Sequence, residues 1–212
     1  SVGSGNAPLM DAQPGFARIA QVFGELKIPF YLGGSLASSV YGLARSTLDV
    51  DLIAAVRQEH AKPLSTLLSP DFYADEQAIL EAISRIRAFN LIHYSTGYKF
   101  DIFPLQTDVY HELEFNRRTR MNLSAVGLPG IESDVASPEG IVLEKLCWYR
   151  DGGKISERQW NDVLSVLQLQ LERLDWEYLK RWAHFLNVAD LLNLARDEAR
   201  PVRPASLPPD NP

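Results

Sequence analysis

Two stretches, Tyr31-Leu32-Gly33-Gly34-Ser35 and Arg45-Ser46-Thr47-Leu48-Asp49-Val50-Asp51-Leu52, are joined by the short helix-like run Leu36 to Tyr41, and together they decide the fold. Asp49 and Asp51 lie two apart in a run of strand composition that continues to Val56, and the strand period of two puts both carboxylates on one face. Val50 and Leu52 then point the other way, into a core. Like charges held this close repel, and a divalent cation between them is the usual reason to tolerate it. A pair of hard oxygen donors suits magnesium, which takes one or two carboxylates and leaves its other positions to phosphates and water.

Gly33, Gly34 and Ser35 follow the short apolar strand Pro29 to Leu32 and precede a helix. Glycines at such a strand-to-helix turn let backbone amides approach a phosphate, and the new helix N-terminus favours an anion. Ser35 either caps that helix or donates to a phosphate oxygen. A Gly-Gly-Ser alone usually marks a tight turn. Joined to Asp-x-Asp at this distance it points to a nucleoside triphosphate with magnesium.

Gly-Gly-Ser followed by Arg-x-Thr-x-Asp-Val-Asp resembles the signature of the DNA polymerase beta nucleotidyltransferase superfamily in its small bacterial forms. The Arg45 to Asp49 variant is most similar to the abortive-infection (AbiEii-like) toxins. The resemblance implies an α/β (α+β) fold, in which helices flank a small mixed sheet and a C-terminal helical extension follows. It implies an enzyme that moves a nucleoside monophosphate from a triphosphate to an acceptor hydroxyl, with two magnesium ions and release of pyrophosphate. The acceptor would be tRNA, a protein or a small molecule, and an antitoxin partner is possible in principle. The superfamily needs a third carboxylate on a neighbouring strand, and Asp101 in Tyr98-Lys99-Phe100-Asp101-Ile102-Phe103 stands where one is required. By the same resemblance Arg45 and Thr47 belong to the nucleotide site with Gly33, Gly34 and Ser35. Lys145 and Asp162 best match a functional lysine and a helix-borne aspartate of the toxins, against the plainer alternative of a helix-surface salt bridge. A non-catalytic nucleotide-binding module of the same fold is the alternative function, and a phosphohydrolase would differ in releasing inorganic phosphate.

The chain has 212 residues, 46% of them hydrophobic, which suits one α/β core plus a helical region. Its formal charge of −6 argues against generic coating of nucleic acid, although a local basic strip can still hold one acceptor RNA. One cysteine, Cys147, rules out an internal disulfide and agrees with a reducing cytoplasm. No apolar run reaches the length of a membrane span. The four histidines show no metal-ligand spacing, so zinc is not expected.

The organisation we expect is a flexible N-terminus over 1–13, a nucleotidyltransferase core over 14–136, a helical region over 137–199 and a disordered tail over 200–212. Helical spacing marks 14–27, 58–68, 75–85 and 107–115. Phe89 to Tyr94 and Tyr98 to Phe103 read as a hairpin that delivers Asp101, with Gly97 in the left-handed position. Arg117, Arg118 and Arg120 lead into a possible strand, 121–126. They are either charges on a solvated edge or contacts to phosphate. Ser137-Pro138 opens one helix and a capping box of Ser156 with Gln159 opens the next. Helices over 176–186 and 189–199 follow. Trp148, Tyr149 and Trp160 at helical spacing read as core, not as base-stacking residues, and the dimerisation of such a chain is left open.

Overall fold

The computed structural model describes residues 10–44, 47 and 49–199. Arg45, whose role rested on the signature, lies outside the described residues, as do 1–9 and the tail from 200. Among the described residues a seven-stranded mixed sheet is flanked by helices. Its strands are β1 (Phe30–Leu32), β2 (Asp49–Ala54), β3 (Phe72–Tyr73), β4 (Phe89–His93), β5 (Lys99–Pro104), β6 (Thr119–Asn122) and β7 (Glu132–Val135). In space they run β3-β4-β5-β2-β1-β7-β6. Among the described residues, no helix is long and apolar enough to cross a membrane.

β2 is the middle strand, and its pairing places the chemistry. It runs antiparallel to β1, with Tyr31 opposite Ile53 and Leu32 opposite Leu52. It runs parallel to β5, with Asp49 opposite Lys99, Asp51 opposite Asp101 and Ile53 opposite Phe103. Alternation then sorts the side chains. Val50, Leu52, Ala54, Phe100 and Ile102 are fully buried on one face, each large one stabilising the fold by roughly 1.5–3 kcal/mol. That face is covered by helix α1 (Gln13–Glu25), whose Phe16 and Phe23 meet Phe30 of β1 at 6.3 and 5.3 Å between ring centres. The opposite face carries Asp49, Asp51, Lys99 and Asp101, all only partly covered.

Helix α2 (Gly34–Tyr41) leaves β1 at the Gly-Gly-Ser turn. Helices α3 (Ala61–Leu68) and α4 (Glu76–Arg85) lead to the β4–β5 hairpin, where Gly97 has φ +67° as its turn requires. Helix α5 (Val109–Arg117) follows β5. Then α6 (Pro138–Asp151), α7 (Glu157–Gln170), α8 (Trp176–Phe185) and α9 (Ala189–Ala199) form the helical end. Ser137 caps α6 by accepting from the Gly140 amide at 2.9 Å. The expected capping box on α7 is half made: the Gln159 amide donates to Ser156 Oγ at 3.4 Å, while Gln159 Oε1 is buried without a hydrogen-bond partner.

A buried carboxylate ties the helical end to the core. Glu114 of α5 accepts from the Ser137 hydroxyl at 3.0 Å and from the Tyr178 hydroxyl of α8. Next to it Arg117 pairs with Glu139 at 3.0 Å and lies over the Tyr178 ring. Arg118 and Arg120 both reach Asp134 of β7, at 2.9 and 3.8 Å. The basic patch is therefore engaged in ion pairs around an edge strand, as the solvated-edge alternative has it. The strand foreseen over 121–126 also differs: β6 ends at Asn122, and Ser124–Val126 forms a 3-10 turn closed by Gly127.

Candidate active site

Asp51 and Asp101 face each other on adjacent parallel strands, and Asp49 lies one strand repeat along, as the spacing required. The triad proposed from sequence therefore shares one sheet face. Lys99, which sequence reasoning passed over, stands among the three carboxylates. Its ammonium lies 2.9 Å from Asp101 Oδ2 and 3.3 Å from Asp49 Oδ1. Hydrogen bonding to Asp101 and the charges of both aspartates raise the lysine's pKa.

Gly34 explains why this turn has glycine. Its φ is +61°, and a Cβ added there would lie 1.8 Å from Asp51 Oδ2. The turn's amides serve carboxylates of the protein: Ser35 donates its N–H to Asp51 and Gly34 to Glu144. The Gly33 amide donates to the Asp51 carbonyl oxygen at 2.9 Å. The glycines thus bring the helix N-terminus up to Asp51, and in this structure the amides of Gly34 and Ser35 are taken by carboxylates of the protein. Gly34→Ala is expected to cost about 2–4 kcal/mol through left-handed strain and overlap with Asp51. Thermal melting with and without magnesium checks it, and the variant should also lose any stabilisation that the ion confers.

Burial, joined by the nearby charge of Asp101, pushes the Asp51 pKa up to about 6; Lys145 and the Ser35 amide act the other way. Glu144, also overlooked in the sequence, is pushed up to about 7 by burial and then by Asp51. Both carboxyls hold protons in the fold that the unfolded chain would release near pH 4. Their stabilisation is complete below that range and is lost as pH rises through about 6 and 7. The metal-free protein should melt about 5–10 °C lower near pH 8 than near pH 5. Magnesium should recover more of that difference at the higher pH, and a melting series across pH tests both parts.

Lys145 is fully buried, not on a helix surface. It pairs with Asp162 of α7 at 2.9 Å and donates to Ser35 Oγ at 3.0 Å, so α6, α7 and the Gly-Gly-Ser turn meet at one ammonium. Its charge also reaches Asp51. Ser35 makes no side-chain cap for α2, and the capping alternative gives way to this contact. Thr47 is buried, and its hydroxyl donates to the Asp49 carbonyl oxygen at 3.1 Å. It shapes the approach to β2.

Among the described residues, no three His, Cys, Asp or Glu side chains are gathered closely enough to hold a metal ion together. The donors nonetheless fit a hard divalent cation. Asp101 Oδ1 is buried without a hydrogen-bond partner, and Asp51 is lifted by the neighbouring carboxylates of Asp101 and Asp49.

No protein-family model and no curated protein matches this chain. Among solved structures it is similar to an antigenic nucleotidyltransferase-like protein from Paracoccidioides brasiliensis, with 18% identity over 88% of this chain and 92% of that one, at a TM-score of 0.52. The lincosamide antibiotic adenylyltransferase LnuA matches 73% of this chain and 95% of its own at 14% identity and a TM-score of 0.46. The antibiotic-resistance factor ANT(2'')-Ia matches 86% and 92% at 15% identity and a TM-score of 0.48. At these identities the first likeness bears on fold alone: the mixed sheet and its helices are arranged as in a nucleotidyltransferase-like protein.

Proposed function

We propose that this protein is a metal-dependent nucleotidyltransferase that moves a nucleoside monophosphate from a triphosphate to an acceptor hydroxyl. The observation that carries the reading is the pairing of Asp51 with Asp101 across parallel strands, with Asp49 on the same face and the buried Lys145 bonded to Ser35 beside it. The fold shared with a nucleotidyltransferase-like protein supports it.

Asp49, Asp51 and Asp101 would divide their oxygens between two magnesium ions, no one ion taking all three, and the ions would neutralise triphosphate charge and polarise the α-phosphorus. The chain's own groups do the rest. Lys145, held by Asp162 and bonded to Ser35, sets a fixed positive charge beside Asp51 that would offset the charge of a triphosphate. Asp101 Oδ1, the carboxylate oxygen without a partner, accepts the proton of the attacking hydroxyl. The acceptor's hydroxyl oxygen forms the new bond to the α-phosphorus, and the bond from the α-phosphorus to the bridging oxygen of the β-phosphate breaks to release pyrophosphate. Here the protein contributes position and charge more than covalent chemistry. The acceptor class is tRNA, a protein or a small molecule, and an antitoxin would act by covering this face.

One observation favours a second reading. Lys99 bridges Asp49 and Asp101 as a cation of the protein itself, which suits a nucleotide-binding module without turnover. Incubation with magnesium, each α-labelled triphosphate, total tRNA and cell lysate separates the two. Label carried to an acceptor with pyrophosphate release, absent in Asp49→Asn, is the expected result. Triphosphate binding without transfer favours the module, and release of inorganic phosphate alone overturns both.

A further inference from the structure

One strand repeat along the same sheet face from the carboxylates, the chemistry changes from acidic to apolar. Tyr31, Ile53 and Phe103 form a row across β1, β2 and β5, directly beside the row of Asp51 and Asp101. They floor a cavity of about 270 Å³, just under the roughly 300–1,000 Å³ of typical small-molecule sites. One wall is Trp148 of α6, stacked on Phe103 with ring centres 5.9 Å apart and planes 29° apart. Glu144, one helical turn before Trp148, lines the cavity and also accepts from the Gly34 amide at the edge of Asp51. It joins the cavity to the candidate active site.

Charge narrows the occupant. The described lining includes three carboxylates, Glu114, Glu144 and Asp151, and neither lysine nor arginine. Glu114 is committed to Ser137 and Tyr178, and Asp151 to Arg150 at 2.7 Å. Glu144 is the carboxylate that stands between the aromatic floor and the aspartates. A phosphodiester chain would bring negative charge against this group of carboxylates, whereas an amine bonds to Glu144 and by its own charge favours the ionised form. The aromatic floor favours a flat or apolar body and can attract a cation as well.

We propose that this cavity is the acceptor subsite and takes a small organic cation with an aromatic or apolar body, its amine on Glu144 and a neighbouring hydroxyl turned toward Asp51 and Asp101. The assignment rests on the nucleotidyl-transfer reading and selects the small molecule from its three acceptor classes. In the transfer the hydroxyl oxygen of this cation bonds to the α-phosphorus, its proton passes to Asp101, and pyrophosphate leaves with the electrons of the broken bond.

Cys147, the single cysteine of the chain, lines the cavity and reports its occupancy. Its thiol is pushed up to about 11 by burial, so modification with methyl methanethiosulfonate is run in mildly alkaline buffer and followed by intact mass. Three probes of one skeleton are compared on the whole protein: 2-amino-1-phenylethanol, 1-phenylethane-1,2-diol and mandelate. The amino alcohol should protect Cys147 at a concentration at least about tenfold below that needed for the diol, with mandelate weakest. Glu144→Gln should erase that preference and keep the weaker protection by the diol. Equal protection by all three, no protection at millimolar concentration, or protection by total tRNA in place of the amine would overturn the inference. Triphosphate turnover together with any of these leaves nucleotidyl transfer standing and removes only the subsite. Amine-selective protection in a protein that binds no triphosphate keeps the cation site and removes its role in transfer.

Discussion

Asp51→Asn should lower nucleotidyl transfer by at least about 10³-fold and leave the melting temperature at neutral pH unchanged or higher. The two effects separate because the carboxylate is held against its own charge. Asp51 is largely buried, faces Asp101 across the parallel pairing and has Asp49 on the same strand face. Removing one of three clustered charges relieves repulsion and desolvation, while the amide oxygen still accepts from the Ser35 amide. What is lost is the hard oxygen donor on the middle strand. Labelled transfer and thermal melting measured on the same preparation decide it. Turnover within about tenfold of the unmutated protein would refute the assignment of Asp51.

Lys145→Met is expected to destabilise the protein by about 3–5 kcal/mol, the largest stability effect foreseen here. Lys145 is fully buried and Asp162 is 4% exposed, so the substitution takes one positive partner from a carboxylate in the interior. The companion Lys145→Met/Asp162→Leu should recover most of that stability, since an apolar pair of similar volume replaces two charges that were costly to desolvate. Neither variant should transfer nucleotide, because both lack the ammonium bonded to Ser35. Denaturant unfolding of the two singles and the double gives the coupling energy. A double variant no more stable than Lys145→Met alone would mean that the pair acts through shape, not charge.

How much of this was legible in the sequence follows from how local each signal is. The Asp-x-Asp strand, the Gly-Gly-Ser turn and the hairpin that delivers Asp101 are short-range patterns, and each forms where its spacing placed it. β7 was missed because Glu132-Ser133-Asp134-Val135 has almost no apolar alternation, and it becomes a strand through its antiparallel pairing with β6 and the parallel pairing of Val135 with Leu32, far away in sequence. β3 has two residues and owes its existence to β4. Lys99 could have been found: once Asp101 is placed on the strand face, the residue two before it shares that face. Glu144 could not, since a glutamate beside Lys145 on a helix reads as a solvated pair until α6 is packed against the turn at Gly34. The resemblance singled out Lys145 and Asp162, and packing reveals that they are partners.

The contact between Gly34 and Asp51 also bears on inheritance. Because a side chain at position 34 would occupy the space of the Asp51 carboxylate, the two residues cannot drift independently. A lineage that abandons the chemistry can first replace Asp51 with a smaller residue, which removes the overlap and leaves position 34 only the strain of its φ of +61° to bear on changing. Among descendants of such an ancestor, a retained glycine beside a vanished aspartate would mark a recent loss of the metal face, and the loss of both an old one.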